Sequence, residues 1–389
     1  LPSGRYQAKY RDDSGQYVPA PETFDAKADA EAWLAAKRTD LRRGVDIDEK
    51  GSRKTLAHWW PAMEADSRRR LKPSTVKYYD ECWTDHVEPR FGRVAVSRIR
   101  PSDVDHWLGD LHDAGVSPSR MRGALGVLSR LCDAALRDRA IATNPASARS
   151  ARIPASKPAE RPVLTPLEIR DLHRVANTTD ENGKRLGSPE LALIVSVLSM
   201  GGLRIGECLA LQRRDINLEA GSINVRLSVA EISGKLHLGG TKAGKERVVT
   251  LPAAVVAELS TYLAGVADGP EAWLFPSRVN KPRRYTNFRI RQWLPMVERF
   301  NADRKKRELP ELQVMPHDLR STCASLLIDA GASPKDVQEH LGHADITTTL
   351  NLYARVRPGR SDDLAARMDA LLAEEDESAH QPDADEDAA

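Results

Sequence analysis

From Pro316 to Tyr353 the chain reads PHDLRSTCASLLIDAGASPKDVQEHLGHADITTTLNLY. His317 and Arg320 are three residues apart and so share a helix face. A break centred on Gly331 follows, then a short amphipathic segment from Pro334 to Leu341. Gly342 and His343 come next, then a threonine-rich turn at Thr347-Thr348-Thr349, with Tyr353 ten residues beyond His343. Two histidines, an arginine and a tyrosine, carried on helices with turns between them, suit the gripping of an anionic phosphodiester and an attack on it. The rest of the chain must supply what this stretch lacks.

The chain has 389 residues, enough for two or three domains that each bury a core. A hydrophobic content of 41% beside 29% charged residues excludes a disordered or membrane-embedded class. The longest apolar run, Leu191–Met200, is too short to span a bilayer. No charged-then-apolar leader opens the chain, so a secreted protein is not expected and a cytoplasmic one is. Cys82, Cys132, Cys208 and Cys323 are scattered and show no metal-ligand spacing, so they read as reduced thiols. The net charge of +2 conceals an asymmetry: eleven acids and one arginine follow from Ser361 onward, leaving +12 on residues 1–360. A basic body with an acidic tail fits a nucleic-acid partner.

Outward from the opening stretch, the N-terminus alternates as a strand over Arg5–Tyr10. A turn at Asp12–Gly15, a second strand at Gln16–Val18 and a third ending near Phe24 follow. The stretch Asp25–Leu34 then starts a helix with acids in its first turn. Arg5 and Lys9 on this small sheet are candidates for contacting DNA. After a charged linker near Leu41–Arg53, helical periodicity runs over Leu56–Ala65, Thr75–Val87, Pro101–Ala114 and Ser119–Arg139. Pro73-Ser74-Thr75 and Pro101-Ser102-Asp103 read as capped helix starts. Basic residues crowd the ends of these helices. Arg69, Lys72, Lys77, Arg120 and Arg122 are the candidates for a phosphate-tracking surface, against the simpler reading of a solvated face.

Five prolines between Pro145 and Pro166 predict an extended linker. A second large domain begins with a capped helix at Thr165-Pro166, and Leu191–Met200 is a buried helix broken by Gly201-Gly202, which places Arg204 at a turn. Ile216–Val229 and Gly234–Leu251 alternate as strands, with a hairpin turn at Lys242–Lys245. Trp273–Pro276 is a short apolar piece, and helices follow to Tyr353. Residues Glu374–Ala389 are acidic and poor in apolar side chains, as disordered tails are.

Gly202-Leu203-Arg204-Ile205-Gly206-Glu207, then Thr241-Lys242 in a hairpin, His317-Asp318-Leu319-Arg320, Leu341-Gly342-His343 and finally Tyr353 resemble the ordered signature of the tyrosine recombinases, the phage integrase family. The match spans roughly Thr165–Val356. The layout before it is similar to that of integrases from actinobacterial temperate phages and integrative elements. The resemblance implies a multidomain α+β chain. Residues 1–50 would form an N-terminal arm-type DNA-binding unit, 51–150 a helical core-binding domain, 151–164 a linker and 165–360 a mainly helical catalytic domain with a small antiparallel sheet, with 361–389 as an acidic tail.

The resemblance also implies roles. Arg204 and Arg320 would each present a planar fork of N–H donors to the non-bridging phosphate oxygens. Tyr353 would be the nucleophile; its ordinary pKa of about 10 demands a positive setting. Attack would give a covalent 3′-phosphotyrosine and a free 5′ hydroxyl, so neither ATP nor a metal or other cofactor is expected. Lys242 resembles the general acid, with Lys245 as a neighbouring competitor. His317 and His343 would hydrogen-bond the phosphate or shuttle protons, and Glu207 would orient catalytic side chains. Many family members carry a second histidine directly after His-x-x-Arg, where this chain has Ser321.

Implied partners are double-stranded DNA attachment sites, a homotetramer on DNA, a host DNA-bending protein and a directionality factor. No membrane is among them. Leu364–Leu372 has the apolar spacing of a helix, a candidate for docking on a neighbouring subunit against the simpler reading that it packs on its own domain. The competing classes are a type IB topoisomerase-like relaxing enzyme and a DNA-binding regulator with an inactive site. The first would relax any supercoiled DNA rather than exchange two sites. The complete Arg/Lys/His/Arg/His/Tyr set argues against the second.

Overall fold

The computed structural model describes residues 3–11, 15–42, 47–147, 153, 161–179, 183, 185–240, 246–266 and 268–356. Lys242 and Lys245, most of the proline-rich linker, the side chain of Tyr353, and the tail with its Leu364–Leu372 segment lie outside the described residues. The chain divides into two compact units, Leu1–Ala159 and Glu160–Ala389.

In the first unit, β1 (Lys9–Arg11) pairs antiparallel with β2 (Tyr17–Pro19), with Tyr10 opposite Val18. The expected third strand shrinks to one bridge, in which the Tyr6 and Phe24 backbones exchange two hydrogen bonds of 2.8 Å. Helix α1 runs over Lys27–Arg42 and so starts two residues after the expected Asp25. This sheet and helix enclose Ala8, Ala20 and Ala30, with Phe24 and Trp33 closing the edge. So small a core fits the marginal size of the segment.

The helical part follows, with α2 (Trp60–Arg70), α3 (Pro73–Cys82), α4 (Pro101–Asp113) and α5 (Pro118–Arg137) around a core that includes Trp83, Phe91, Trp107 and Leu128. Trp60 and Trp83 stack with centroids 4.8 Å apart. Two helix starts differ from expectation. The N-cap positions belong to Lys72 and Arg100, and neither Ser74 nor Ser102 caps, because Pro73 and Pro101 take the first helical position, where a missing N–H costs nothing. Asp103 instead accepts the Arg100 amide at 2.9 Å. Beyond α3 a wide π-turn at Trp83–Val87 leads into Glu88–Phe91. Pro89 follows it: a proline cannot donate to the preceding turn and crowds the carbonyl there, and the wider turn makes room. Pro295 follows a second π-turn, Arg289–Trp293, in the same relation.

The second unit is built around α7. Helix α6 (Pro166–Ala176) opens it with a reciprocal cap, in which Glu168 accepts the Thr165 amide at 2.8 Å and Thr165 accepts the Glu168 amide at 3.3 Å. Helix α7 (Pro189–Gly201) is buried at every residue from 191 to 199, as an all-apolar helix must be. It packs on α6, on α8 (Ala253–Leu263) and on α10 (Pro316–Asp329).

The two expected strands divide into shorter ones. β3 (Ile216–Asn217), β4 (Ser222–Val225) and β7 (Arg247–Thr250) form one antiparallel sheet in the order β3-β4-β7. β5 (Leu227–Ile232) and β6 (Lys235–Gly240) form a separate hairpin. The left-handed Gly221, at φ 58°, turns the chain between β3 and β4, and Ser233-Gly234, at 49° and 71°, turns it between β5 and β6, while β4 passes to β5 through Arg226 alone. Trp293, Phe275 and Phe300 fill the core beneath α9 (Leu294–Lys306). After α10 come α11 (Pro334–Leu341) and α12 (Ile346–Val356). Thr347–Thr349 belong to the first turns of α12 and are not a turn of their own, because Asp345 accepts the Thr347 amide at 2.9 Å and starts the helix. Among the described residues no helix is long and apolar enough to cross a membrane. The architecture is mainly helical with small antiparallel sheets.

Gly202 ends α7 at φ 61°, and a Cβ there would lie 2.4 Å from Leu341 Cδ2 and 3.0 Å from Cys323 Sγ. Gly202→Ala is expected to lower unfolding free energy by about 2–4 kcal/mol, through left-handed strain and overpacking. Urea denaturation measures this, and a loss under about 0.5 kcal/mol would show that Leu341 can move aside.

Candidate active site

Two helix ends and one short turn meet at the site. α7 stops at Gly202, and α11 stops at Gly342, which is also left-handed at φ 66°. The last carbonyls of a helix have no partner within it and carry the negative end of its dipole. At the end of α11 the backbone recovers two of them, through Gly342 N donating to Gln338 O at 2.8 Å and to Glu339 O at 3.1 Å. The next three carbonyls are taken by three arginines. Arg247 Nε donates to His340 O at 3.1 Å, Arg320 Nη2 to Leu341 O at 2.5 Å, and Arg204 Nη2 to Gly342 O at 3.3 Å. Arg320 Nη1 also donates to Gly202 O at 2.6 Å and so joins the ends of α7 and α11.

Glu207 completes the arrangement. It sits on the one-turn helix Ile205–Cys208, directly after Arg204, and is fully buried. Oε1 accepts Arg204 Nη1 at 2.8 Å and Arg247 Nη1 at 3.3 Å. Oε2 accepts the Arg204 amide at 3.0 Å and Arg247 Nη2 at 2.7 Å. Burial works to raise the Glu207 carboxyl, but hydrogen bonding and charge from Arg247, then Arg204, hold it below the ordinary carboxylate range.

Beside this cluster lies an open cleft of about 510 Å³ lined by Arg204, His317, Arg320, Ser321, His343 and Thr348 among others. His317 and Arg320 both reach it from one face of α10, as their spacing predicts. Arg204 is a quarter exposed there, whereas Arg320 is almost fully buried. Burial, then the Arg204 charge, makes Arg320 easier to deprotonate than a free guanidinium. His343 is held through Nδ1, 2.9 Å from Thr349 Oγ1 on α12. Burial, then Arg320, Arg204 and Arg247, pushes its pKa down to about 4. His317 is lowered too, by burial and then by Arg320. The cleft therefore presents fixed positive charge from arginine beside neutral imidazoles. Among the described residues no group of three or more His, Cys, Asp or Glu is placed to hold a metal.

The structure thus brings together Arg204, Glu207, His317, Arg320 and His343. α12, which lines the cleft through Thr348, Asn351 and Leu352, also carries Tyr353 on its backbone. Lys242 lies outside the described residues, between β6 and β7. Arg247 escaped the sequence reading. Its only sequence signal is a position at the foot of the predicted hairpin, which many surface arginines share. Of the DNA-contact candidates, Arg69, Lys72 and Arg122 are exposed, and so is Lys9 on β1. Lys77 pairs with Glu81 at 3.7 Å, and Arg5 pairs with Asp25 at 2.9 Å. Arg120 is held by Glu81 at 3.0 Å and Asp85 at 3.1 Å and lies over the Tyr78 ring, so it shapes the domain before it can meet DNA.

The family model for the phage integrase family matches residues 162–360, and one for the phage integrase N-terminal domain matches residues 1–43. The integrase of Mycobacterium phage D29 is 28% identical over 396 residues, covering 95% of each chain. Among solved structures, the Tn1549 transposon integrase in complex with a circular intermediate DNA superposes with a TM-score of 0.68 at 20% identity, over 82% of this chain and 99% of that one. The lambda integrase tetramer bound to a Holliday junction gives 0.55 at 19% identity, over 93% and 94%. This chain belongs to the phage integrase family, the tyrosine site-specific DNA recombinases.

The depressed His343 pKa has a consequence for stability. An unfolded histidine takes a proton near pH 6.5, whereas folded His343 does so only near pH 4. Between these values the unfolded state binds more protons, so stability falls as pH drops through that window. The urea midpoint is expected to be lower at pH 5 than at pH 7, and His343→Gln to flatten part of that fall. An unchanged slope in the variant would show that folded His343 already carries a proton at pH 5.

Proposed function

We propose that this recombinase cuts and rejoins double-stranded DNA at attachment sites through a 3′-phosphotyrosine on Tyr353, integrating and excising a phage or mobile element. The observation that carries this reading is the convergence of Arg204, His317, Arg320 and His343 on one cleft beside the helix that bears Tyr353. A phosphodiester resists attack because it is an anion, and its transition state gathers further charge on the non-bridging oxygens. Arg204 and Arg320, fixed in place before the substrate arrives, stabilise that charge without reorganising; losing one such donor costs about 3 kcal/mol, or roughly 100-fold in rate. The same positive field favours the tyrosinate over the phenol.

Neutral His317 and His343 can donate to a phosphate oxygen or pass a proton, and Lys242 protonates the departing 5′ oxygen. The bond energy stays in the protein–DNA ester, so rejoining needs no ATP. Glu207 holds Arg204 and does not itself react.

Exchange of two duplexes requires four cleavages, so the working assembly is a homotetramer on DNA; the lambda integrase structure is a tetramer on a Holliday junction. We assign residues 1–50 to arm-type DNA binding, 51–150 to the core site, 151–164 to the linker, 165–360 to catalysis and 361–389 to an acidic tail. Lys9, Arg69, Lys72 and Arg122 are the contact residues we favour. A host DNA-bending protein and a directionality factor would act on this assembly in the bacterial cytoplasm.

A suicide substrate nicked within the recognition site tests the chemistry. Wild type is expected to trap DNA covalently in EDTA and Tyr353→Phe to trap none; a phenylalanine variant that still traps DNA would overturn the assignment of the nucleophile. Footprinting residues 1–50 and 51–389 separately tests the domain roles. Two different protected sequences are expected, and protection of one shared sequence by both would remove the arm-binding assignment.

A further inference from the structure

Arg247 belongs to none of the roles above, yet it is the most heavily engaged arginine at the site. Its side chain is 10% exposed and is not part of the cleft wall among the described residues. Three of its N–H groups are committed, two to the two oxygens of Glu207 and one to His340 O. Gly342 lies against it so closely that a Cβ there would be 2.9 Å from Arg247 Cδ. We propose that Arg247 is a positioning residue for strand cleavage, which sets the aim of Arg204 by occupying the far side of Glu207 and by pinning the end of α11. The inference rests on the recombinase reading of the cleft.

The geometry gives the reason. A carboxylate has room for about four donors, and Glu207 has four. Two come from Arg204, through its amide and Nη1, and two from Arg247. With Arg247 in place, Arg204 meets Glu207 by one edge of its fork, and Nη2 is left to reach Gly342 O. Without Arg247, a fully buried carboxylate would keep one guanidinium partner, and a bidentate fork-to-fork pair would be the favoured arrangement. Arg204 would turn toward Glu207 and away from the cleft. The His340 carbonyl would also lose its donor at the helix end whose next two carbonyls hold Arg320 and Arg204. Both effects move the groups that meet phosphate, while Arg247 itself touches none.

Arg247→Lys keeps the charge but cannot bridge Glu207 and His340 O with one ammonium group. The experiment measures single-turnover covalent trapping on the nicked substrate, DNA affinity and melting temperature for wild type, Arg247→Lys, Glu207→Gln and the double variant. Arg247→Lys is expected to trap DNA about 10- to 100-fold more slowly, with affinity within about threefold of wild type. In the Glu207→Gln background the same change is expected to cost less than about threefold, because the carboxylate that would recapture Arg204 is gone. Trapping by Arg247→Lys at the wild-type rate overturns the inference. So do fully multiplicative effects of the two substitutions, or a lowered melting temperature with the folded fraction cleaving normally. A wild-type chain that traps no DNA is a different failure, and it falls on the recombinase reading itself.

Discussion

The arrangement everything else depends on is the end of one eight-residue helix. α11 stops at a left-handed glycine and leaves the carbonyls of His340, Leu341 and Gly342 facing outward, and one arginine takes each. Three guanidinium groups repel one another at such distances. They are tolerated because they meet two helix C-termini, at Gly202 and Gly342, and one buried carboxylate, Glu207. The site thus concentrates positive charge by using backbone dipoles as fixed counter-charges, which do not leave when phosphate arrives. Side-chain acids in those places would compete with the phosphate for the arginines.

The two glycines matter for a related reason. Each adopts a backbone conformation that other residues reach only with strain, and each is where another chain segment comes close. Gly202 lies against Leu341 and Cys323, and Gly342 against Arg247. The small core of Cys323, Ala324, Ile328, Val337 and Leu341 therefore fixes the distance between the two helix ends that Arg320 bridges. Packing and electrostatics meet in Leu341, whose side chain fills that core and whose carbonyl holds Arg320.

The histidines follow from the same charge. Burial and then arginine neighbours keep His317 and His343 neutral, so their value lies in donating a hydrogen bond or relaying a proton and not in adding a cation. Thr349 fixes the His343 ring from α12, the helix that also carries Tyr353. A change in how α12 seats would move His343 and Tyr353 together.

Much of this was legible in the chain itself. The spacing of His317 and Arg320, the glycines before Arg204 and before His343, the periodicity of α5 and the unbroken apolar run of α7 are local signals, carried by residues within a few helical turns. The strand boundaries within 216–229 were not, because alternation continues through Gly221 and Arg226, and only the paired backbone shows where one strand ends and the next begins. Thr347–Thr349 misled for a similar reason: threonines favour turns in isolation, but α12 docks on α10 and α11 and keeps them helical. Arg120 and Arg5 read as candidate DNA contacts, and the acids they pair with, Glu81 and Asp85 for Arg120 and Asp25 for Arg5, lie too far along the chain to be matched to them by local pattern. Sequence alone determined the class of chemistry, because a phosphodiester demands arginines, proton donors and a nucleophile in recognisable local settings. Tertiary structure alone decided which arginine faces the cleft and which one holds Glu207, because Arg204, Arg247, Arg320 and the end of α11 meet only when segments more than 130 residues apart are folded together.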